Sequence, residues 1–526
     1  MSIRQRRTIA VVGATLLAAA LLAPLVILSI HGLTLTGMTE ESTGYRYFYT
    51  LRILYGRGER PWLPQGQLVG LAHIAIQIGL TLAGFSPTSL FPRIDLFAYS
   101  AAALPHVLAL AAFVWMAAVL PPESYLAISG IAALTFLGGR SPLSDSSNYS
   151  LVLPDYVSWV EPVSLIAAGW LLRMCHSAEG ARWKNDVSIG VFAGLCLSIK
   201  PTYGTFVLPL AIVAAATTRF AWRAVLRAMS SGIVASATWL VVTWAYYLTD
   251  MRATVTHFAR LSAFVDSIPS SPSWYDWLMG PELWGGVTFT NLAGLLLLCV
   301  SPSLIFLPRR PLSLGLLAGS LASLYVLHRR FENQTFIEVK GYFLAASIAW
   351  TAAVLGPALG AGLIRGWSKI VRPAIVVATV AIWMLVITQA RLNNRSMLPL
   401  FKTADAGAHA LSRCLAATPG RTMFLIPDNN FRPTTVDSAI FKGGADVNHY
   451  YWGASKYVHE MFPDRGYAVG ETTKAIAAPE LDTYSKIVFV SLPGTRQADE
   501  ARLKTMFAVS FDQFDCSCTI DFKYHV

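Results

Sequence analysis

Runs of about 20 apolar residues, the length that crosses a hydrocarbon layer, recur along this 526-residue chain as far as residue 390. Inside lipid a backbone must satisfy its own hydrogen bonds, so such runs fold as helices unless they close a β-barrel. Charged residues make up only 13% of the chain and hydrophobic ones 54%. A soluble domain carries charge on roughly a quarter of its positions. The expected fold class is therefore an α-helical polytopic membrane protein. About eleven spans are legible, at 8–30, 96–118, 122–138, 157–174, 187–199, 203–218, 228–248, 289–307, 312–327, 341–364 and 373–390.

The net charge is +11, a balance that in a soluble chain would raise the question of nucleic acid. Here the basic residues cluster between apolar runs, as orientation signals do, and no basic tail or aromatic RNA-binding motif accompanies them. The N-terminus, MSIRQRR, precedes about 23 apolar residues that end VILSIHG, a poor cleavage site, so a retained signal anchor is expected rather than a signal peptide.

One segment, 66–85 (GQLVGLAHIAIQIGLTLAGF), is either a further span or a helix lying in the outer interface. Charge decides between them. If it does not cross, then Arg173, Arg182, Lys184, Arg219, Arg223, Arg227, Arg309, Arg310, Arg365, Lys369 and Arg372 fall on the side of the N-terminus. That is the cytoplasmic pattern. The segment is thus expected in the interface, with His73 and Gln77 toward water or protein. The location expected is an inner or plasma membrane, with the N-terminus cytoplasmic.

Two domains follow. Residues 1–390 form the membrane domain, with a long first outer loop at 31–95, and the last span delivers 391–526 to the outer side. That tail is polar and nearly balanced in charge. RTMFLIP (421–427) and YSKIVFVSLPG (484–494) read as buried strands, and KTADAGAHALSRCLA and QADEARLKTMF read as helices. A small extracytoplasmic α/β domain is expected. On that side a disulfide from Cys414 to Cys516 or Cys518 is chemically allowed, whereas Cys175, Cys196 and Cys299 read as packing residues.

The outer face collects the unusual polar residues. Glu40 and Glu41 come about ten residues after the first span, ahead of Tyr45, Tyr47, Phe48 and Tyr49. They are either a solvated loop before an interfacial helix or a pair of bases at the membrane boundary. Asp155 and Glu161 enter a span in LPDYVSWVEP; Asp155 either caps the helix or acts in chemistry. Lys200 sits between apolar runs in GLCLSIKPTYG, where it either snorkels to the outer interface or holds a phosphate. Pro201 points to a break between two helices there. Arg329 and Arg330 break the charge rule; they either pair with Glu332 and Glu338 or grip a phosphate through two parallel hydrogen bonds. Arg93, with Asp95 beside it, carries the same ambiguity. The loop 249–288 holds an amphipathic stretch, THFARLSAFV, and the tryptophans Trp274, Trp277 and Trp284, which suit a membrane interface or a sugar face.

The layout resembles the C-type membrane glycosyltransferases, the GT-C fold. The resemblance rests on TEESTGYRYFYTLRILYGRGERPW in the first outer loop, the interfacial segment 66–85, and FPRIDLFAYSAAALPHV opening the next span. It covers the whole chain in layout and specific residues only in that loop. The family more often shows Asp or Asp-Glu where this chain has Glu-Glu. The resemblance implies transfer of a sugar from a polyprenyl-phosphate donor to an envelope glycan, lipid or protein. Carried over, Glu40 or Glu41 is the base, and Asp155 helps bind the acceptor or a divalent cation. Lys200, Arg329, Arg330 and Arg93 would hold the donor phosphate.

Two other classes compete. A transporter or flippase for a lipid-linked glycan places charges deep in several spans along a path, and most spans here lack acids and bases. A non-catalytic assembly subunit would tolerate loss of both glutamates. No P-loop, GxSxG or HExxH is present.

Overall fold

The structure is a computed structural model, and it describes residues 3–30, 66–84, 94–117, 125–137, 159, 162–167, 169–170, 183–207, 221–267, 377, 379–388 and 391, together with four strands. Among these the chain is mostly helical. The helices are α1 (Ile3–Ile30), α2 (Gln67–Leu82), α3 (Ile94–Ala117), α4 (Tyr125–Leu137), α5 (Trp183–Ile199), α6 (Ala221–Tyr246) and α7 (Met251–Ser267). A 3-10 helix, Pro201–Phe206, follows α5. The expected spans at 289–307, 312–327 and 341–364 lie outside the described residues.

One described helix is both long and apolar enough to cross a membrane: α6, over Trp222–Tyr246. Only 11% of its most apolar window is buried inside the protein. Val225, Leu226, Met229, Ile233, Leu240 and Val241 stand exposed along it. In water those side chains would be a large unburied apolar area, and in a bilayer they face lipid. The helix starts earlier than the apolar run at 228–248 suggests, because the basic turn AWRAVLR continues the same helix.

Small residues decide how α5 meets α6. A Cβ at Gly190 would stand 2.7 Å from both the Ser231 carbonyl oxygen and Val234 Cβ. A Cβ at Gly194 would stand 2.5 Å from the Ala235 carbonyl oxygen and from Thr238 Cβ. Only hydrogen fits at either place. The spacing Gly190-x-x-x-Gly194 thus brings two backbones together in the manner of membrane helix pairs, where dispersion rather than water expulsion drives association. The contacts advance together along both chains, so α5 and α6 run parallel. The same face of α5 carries Asp186, which accepts hydrogen bonds from Arg227 Nε at 2.8 and 3.0 Å and from its Nη2 at 2.8 Å.

The other helices complete the packing. α1 lies against α3 and α4, and α2 touches α3, α5 and α6. Leu17 and Leu21 of α1, Ala102 and Phe113 of α3, and Ile128 of α4 are fully or almost fully buried. Farther along the chain, Trp383 donates from Nε1 to the Leu126 carbonyl at 3.1 Å. Gly130 packs under that same tryptophan and Ile382.

In the tail, β1 (Thr422–Leu425), β2 (Tyr450–Trp452), β3 (Lys486–Ser491) and β4 (Cys516–Thr519) form one parallel sheet in the order β2-β1-β3-β4. Met423 pairs with Tyr450 on one side and Ile487 on the other, and Val488 pairs with Cys516. Two of these strands fall within the segments whose β-branched, apolar runs pointed to strands; β2 and β4 carry weaker sequence signals. The helices expected in the tail, and Cys414 of the allowed disulfide, lie outside the described residues.

Candidate functional site

Of the candidate catalytic and phosphate-binding residues, Lys200 is the one among the described residues. Glu40, Glu41, Arg93, Asp155, Arg329 and Arg330 lie outside the described residues, as do Trp274, Trp277 and Trp284.

Lys200 marks the break that Pro201 foretells. α5 ends at Ile199; Lys200 is extended, with φ −155 and ψ 131, and Pro201 opens the 3-10 helix. Proline lacks an N–H and its ring disfavours the α conformation at the preceding residue, which favours a helix break at Lys200. Lys200 N–H still donates to the Cys196 carbonyl at 2.9 Å, and Tyr203 N–H donates to the Lys200 carbonyl at 2.9 Å. Only 2% of the Lys200 surface is exposed. The side chain is enclosed by protein rather than reaching outward.

Register locates what else lies at this level. Gly190 faces Ser231 and Val234, and Gly194 faces Ala235 and Thr238. Continued at the same stagger, Lys200 stands level with the last turn of α6. A layer of buried polar groups lies at that end. Gln67, Tyr247 and His257 are each buried, and so is Tyr203. A Cβ at Gly70 of α2 would stand 2.7 Å from the Tyr246 ring, which ties the start of α2 to the end of α6.

His257 is the centre of this layer. Gln67 Nε2 lies 3.5 Å from His257 Nε2, and Tyr247 Oη lies 3.3 Å from Nδ1. A neutral imidazole satisfies both: the Gln67 amide donates to Nε2, and the Nδ1 proton goes to Tyr247 Oη. An imidazolium carries hydrogens on both nitrogens and would oppose the amide donor. Burial pushes the His257 pKa down to about 4, because a charged ring there loses its water. The ring also packs edge-on against Phe258 and near Tyr247, and Phe258 meets Trp239 at 5.2 Å between centroids.

α2, expected to be interfacial, directs His73 into the protein, where 3% of it is exposed. Gln77 is not among the described side chains. Among the described residues no three His, Cys, Asp or Glu side chains gather as a metal site. Sequence reasoning missed Gln67 and His257 as partners, since 190 residues separate them. The available signal was a histidine near the start of the amphipathic stretch THFARLSAFV.

No family model matches the chain, and no curated protein matches it. A solved structure that resembles it is the oligosaccharyltransferase of Archaeoglobus fulgidus in complex with zinc and sulfate, at TM-score 0.40 and 12% identity. The likeness covers 82% of this chain and 61% of that one, so the chain spans less than two thirds of that structure's length.

Proposed function

We propose that this chain is a C-type membrane glycosyltransferase that moves a hexosyl or pentosyl group, with inversion, from a polyprenyl-phosphate donor to an extracytoplasmic envelope acceptor. The observation that carries the reading is Lys200: a buried lysine in an extended position, held at a helix break before Pro201 at one end of the parallel α5–α6 pair. Two crossings in the same direction, separated by one return, give a parallel pair of this kind. An intramembrane lysine is costly to keep and is a functional-site candidate, read here as a contact to the donor phosphate.

In the reaction the acceptor hydroxyl oxygen attacks the anomeric carbon. Its proton passes to Glu40 or Glu41, and the anomeric C–O bond breaks with both electrons leaving on the lipid phosphate. Lys200, Arg329, Arg330 and Arg93 would stabilise that growing charge. Asp155 would orient the acceptor, or a divalent cation if one takes part. The tail domain would recognise acceptor or partner.

Purified protein assayed with labelled polyprenyl-phosphate sugars tests this. Transfer should fall in Glu40→Gln or Glu41→Gln. Undiminished transfer in both single variants and the double variant would remove the base. Movement of the lipid-linked sugar across vesicles without transfer would favour the flippase reading.

A further inference from the structure

We propose that α7 is a membrane-surface helix whose Arg252 and Arg260 bind the phosphates of anionic phospholipids beside the end of α6. The inference concerns the surface of the protein and does not depend on the transfer reaction.

One face of α7 is committed to the protein. Thr254, His257 and Leu261 are buried, at spacings of three and four residues. The contacts of His257 with Gln67 and Tyr247, and of Phe258 with Trp239, hold that face in place. The turn that launches the helix is equally fixed. Leu248 and Thr249 both have positive φ, 55 and 68. A β-branched residue takes that conformation only where its surroundings impose it. Here Trp244 Nε1 donates to the Thr249 carbonyl at 2.8 Å, and the Asp250 carboxylate caps the helix by accepting from Ala253 N–H at 3.1 Å. The direction of α7 is thus set by the protein itself.

The opposite face divides into two strips. At about 100° per residue, Met251, Val255 and Ala259 form an exposed, mostly apolar strip that borders the buried arc. Arg252, Thr256 and Arg260 form an exposed basic strip beyond it. Over residues 251–263 this exposed face carries no acid; Asp266, in the last turn of α7, falls on the same side by position. Exposed apolar residues recur along the chain from the end of α6 into α7: Leu240, Val241, Trp244, Leu248, Met251 and Val255. The short Tyr247–Asp250 turn keeps the start of α7 next to the end of α6. A tryptophan at that junction is where membrane proteins place one. Apolar side chains on one flank with guanidinium groups on the next is the profile of a helix lying at a headgroup boundary. Acyl chains take Met251 and Val255, and phosphate oxygens take the two arginines.

The test uses the full chain reconstituted in bilayers of phosphatidylcholine containing a spin-labelled phosphatidylglycerol. The motionally restricted lipid fraction reports its association with the protein. The double variant Arg252→Gln/Arg260→Gln should lower the preference for phosphatidylglycerol severalfold, given about fivefold for each basic residue at an anionic surface. Raised salt should shrink the difference between the two proteins. The unfolding midpoint should not move, since both side chains are exposed. As a second measurement, a nitroxide at Ala259→Cys should be relaxed more by oxygen than by a water-soluble nickel chelate. Equal lipid preference in the wild-type and double-variant proteins would overturn the proposal. So would a label at 259 that behaves as in bulk water, or one shielded from both reagents as at a protein contact.

Discussion

Arg227 of α6 holds Asp186 of α5 by two donors, Nε at 2.8 Å from Oδ2 and Nη2 at 2.8 Å from Oδ1. The carboxylate sits in the first turn of its helix, where the N-terminal dipole favours negative charge. The pair lies directly below the two glycines that bring α5 and α6 together. It therefore fixes the register from which Lys200 takes its height.

Removing one partner leaves the other charge enclosed without its counter-ion. Asp186→Asn should destabilise the protein by about 3 kcal/mol. The double replacement Asp186→Asn/Arg227→Gln should recover part of the loss, because no unmatched charge then remains. Thermal unfolding of the detergent-solubilised protein measures both, and a double variant no better than the single one would show that the pair is not coupled.

Two glycines give opposite expectations. Gly194→Ala sets a methyl 2.5 Å from the Ala235 backbone oxygen and Thr238 Cβ, so α5 and α6 must part. A loss of about 1–3 kcal/mol is expected for such overpacking. Gly232 on α6 has nothing within 4 Å of its would-be Cβ. Gly232→Ala should stabilise the helix by about 0.5–1 kcal/mol. Unfolding midpoints that move in the same direction for both would contradict the close approach of these backbones.

The protonation of His257 predicts a pH dependence. Its folded pKa is near 4 and its unfolded value near 6.5, so between these the unfolded chain binds more protons. Stability from this group is full above pH 6.5 and is lost as pH falls toward 4. The slope is at most about 1.4 kcal/mol per pH unit. His257→Gln, which keeps an amide able to meet Gln67 and Tyr247 without titrating, should flatten the unfolding midpoint between pH 4 and 6.5. An unchanged profile would place the titrating group elsewhere.

The parts of this fold that were legible in the sequence are those that depend on neighbours along the chain. Pro201 ends α5 because of its own ring, and α7 shows its buried and exposed faces through a three- and four-residue pattern that needs no partner to be read. The strands at 422–425 and 486–491 follow from short runs of β-formers bounded by turn residues. What was not legible depends on distance. Arg227 reads as one of many cytoplasmic positive charges until Asp186 is seen in front of it. The Gly190-x-x-x-Gly194 spacing is visible in the sequence, but nothing local says that Ser231, Val234, Ala235 and Thr238 are what approach it. His257 looks like a polar residue in a loop helix until α2 brings Gln67 to it.

Lys200 separates a structural from a substrate-binding role. Lys200→Met keeps an unbranched apolar stem, one atom shorter than lysine, and removes the charge. A purely structural lysine would lose stability on this replacement, because the buried groups it holds would be left without their counter-group. A lysine that neutralises the donor phosphate behaves differently. The methionine variant should fold at least as well as the wild type, yet transfer should fall by about 10- to 100-fold, given about 1.5–3 kcal/mol for a hydrogen bond to a charged group. Lys200→Arg should recover part of that loss, because the charge returns with a different shape. The measurement is kcat/KM for the polyprenyl-phosphate sugar beside an unfolding midpoint for each variant. Stability lost in parallel with transfer would make Lys200 a structural residue. Stability retained with transfer lost would assign it to the donor.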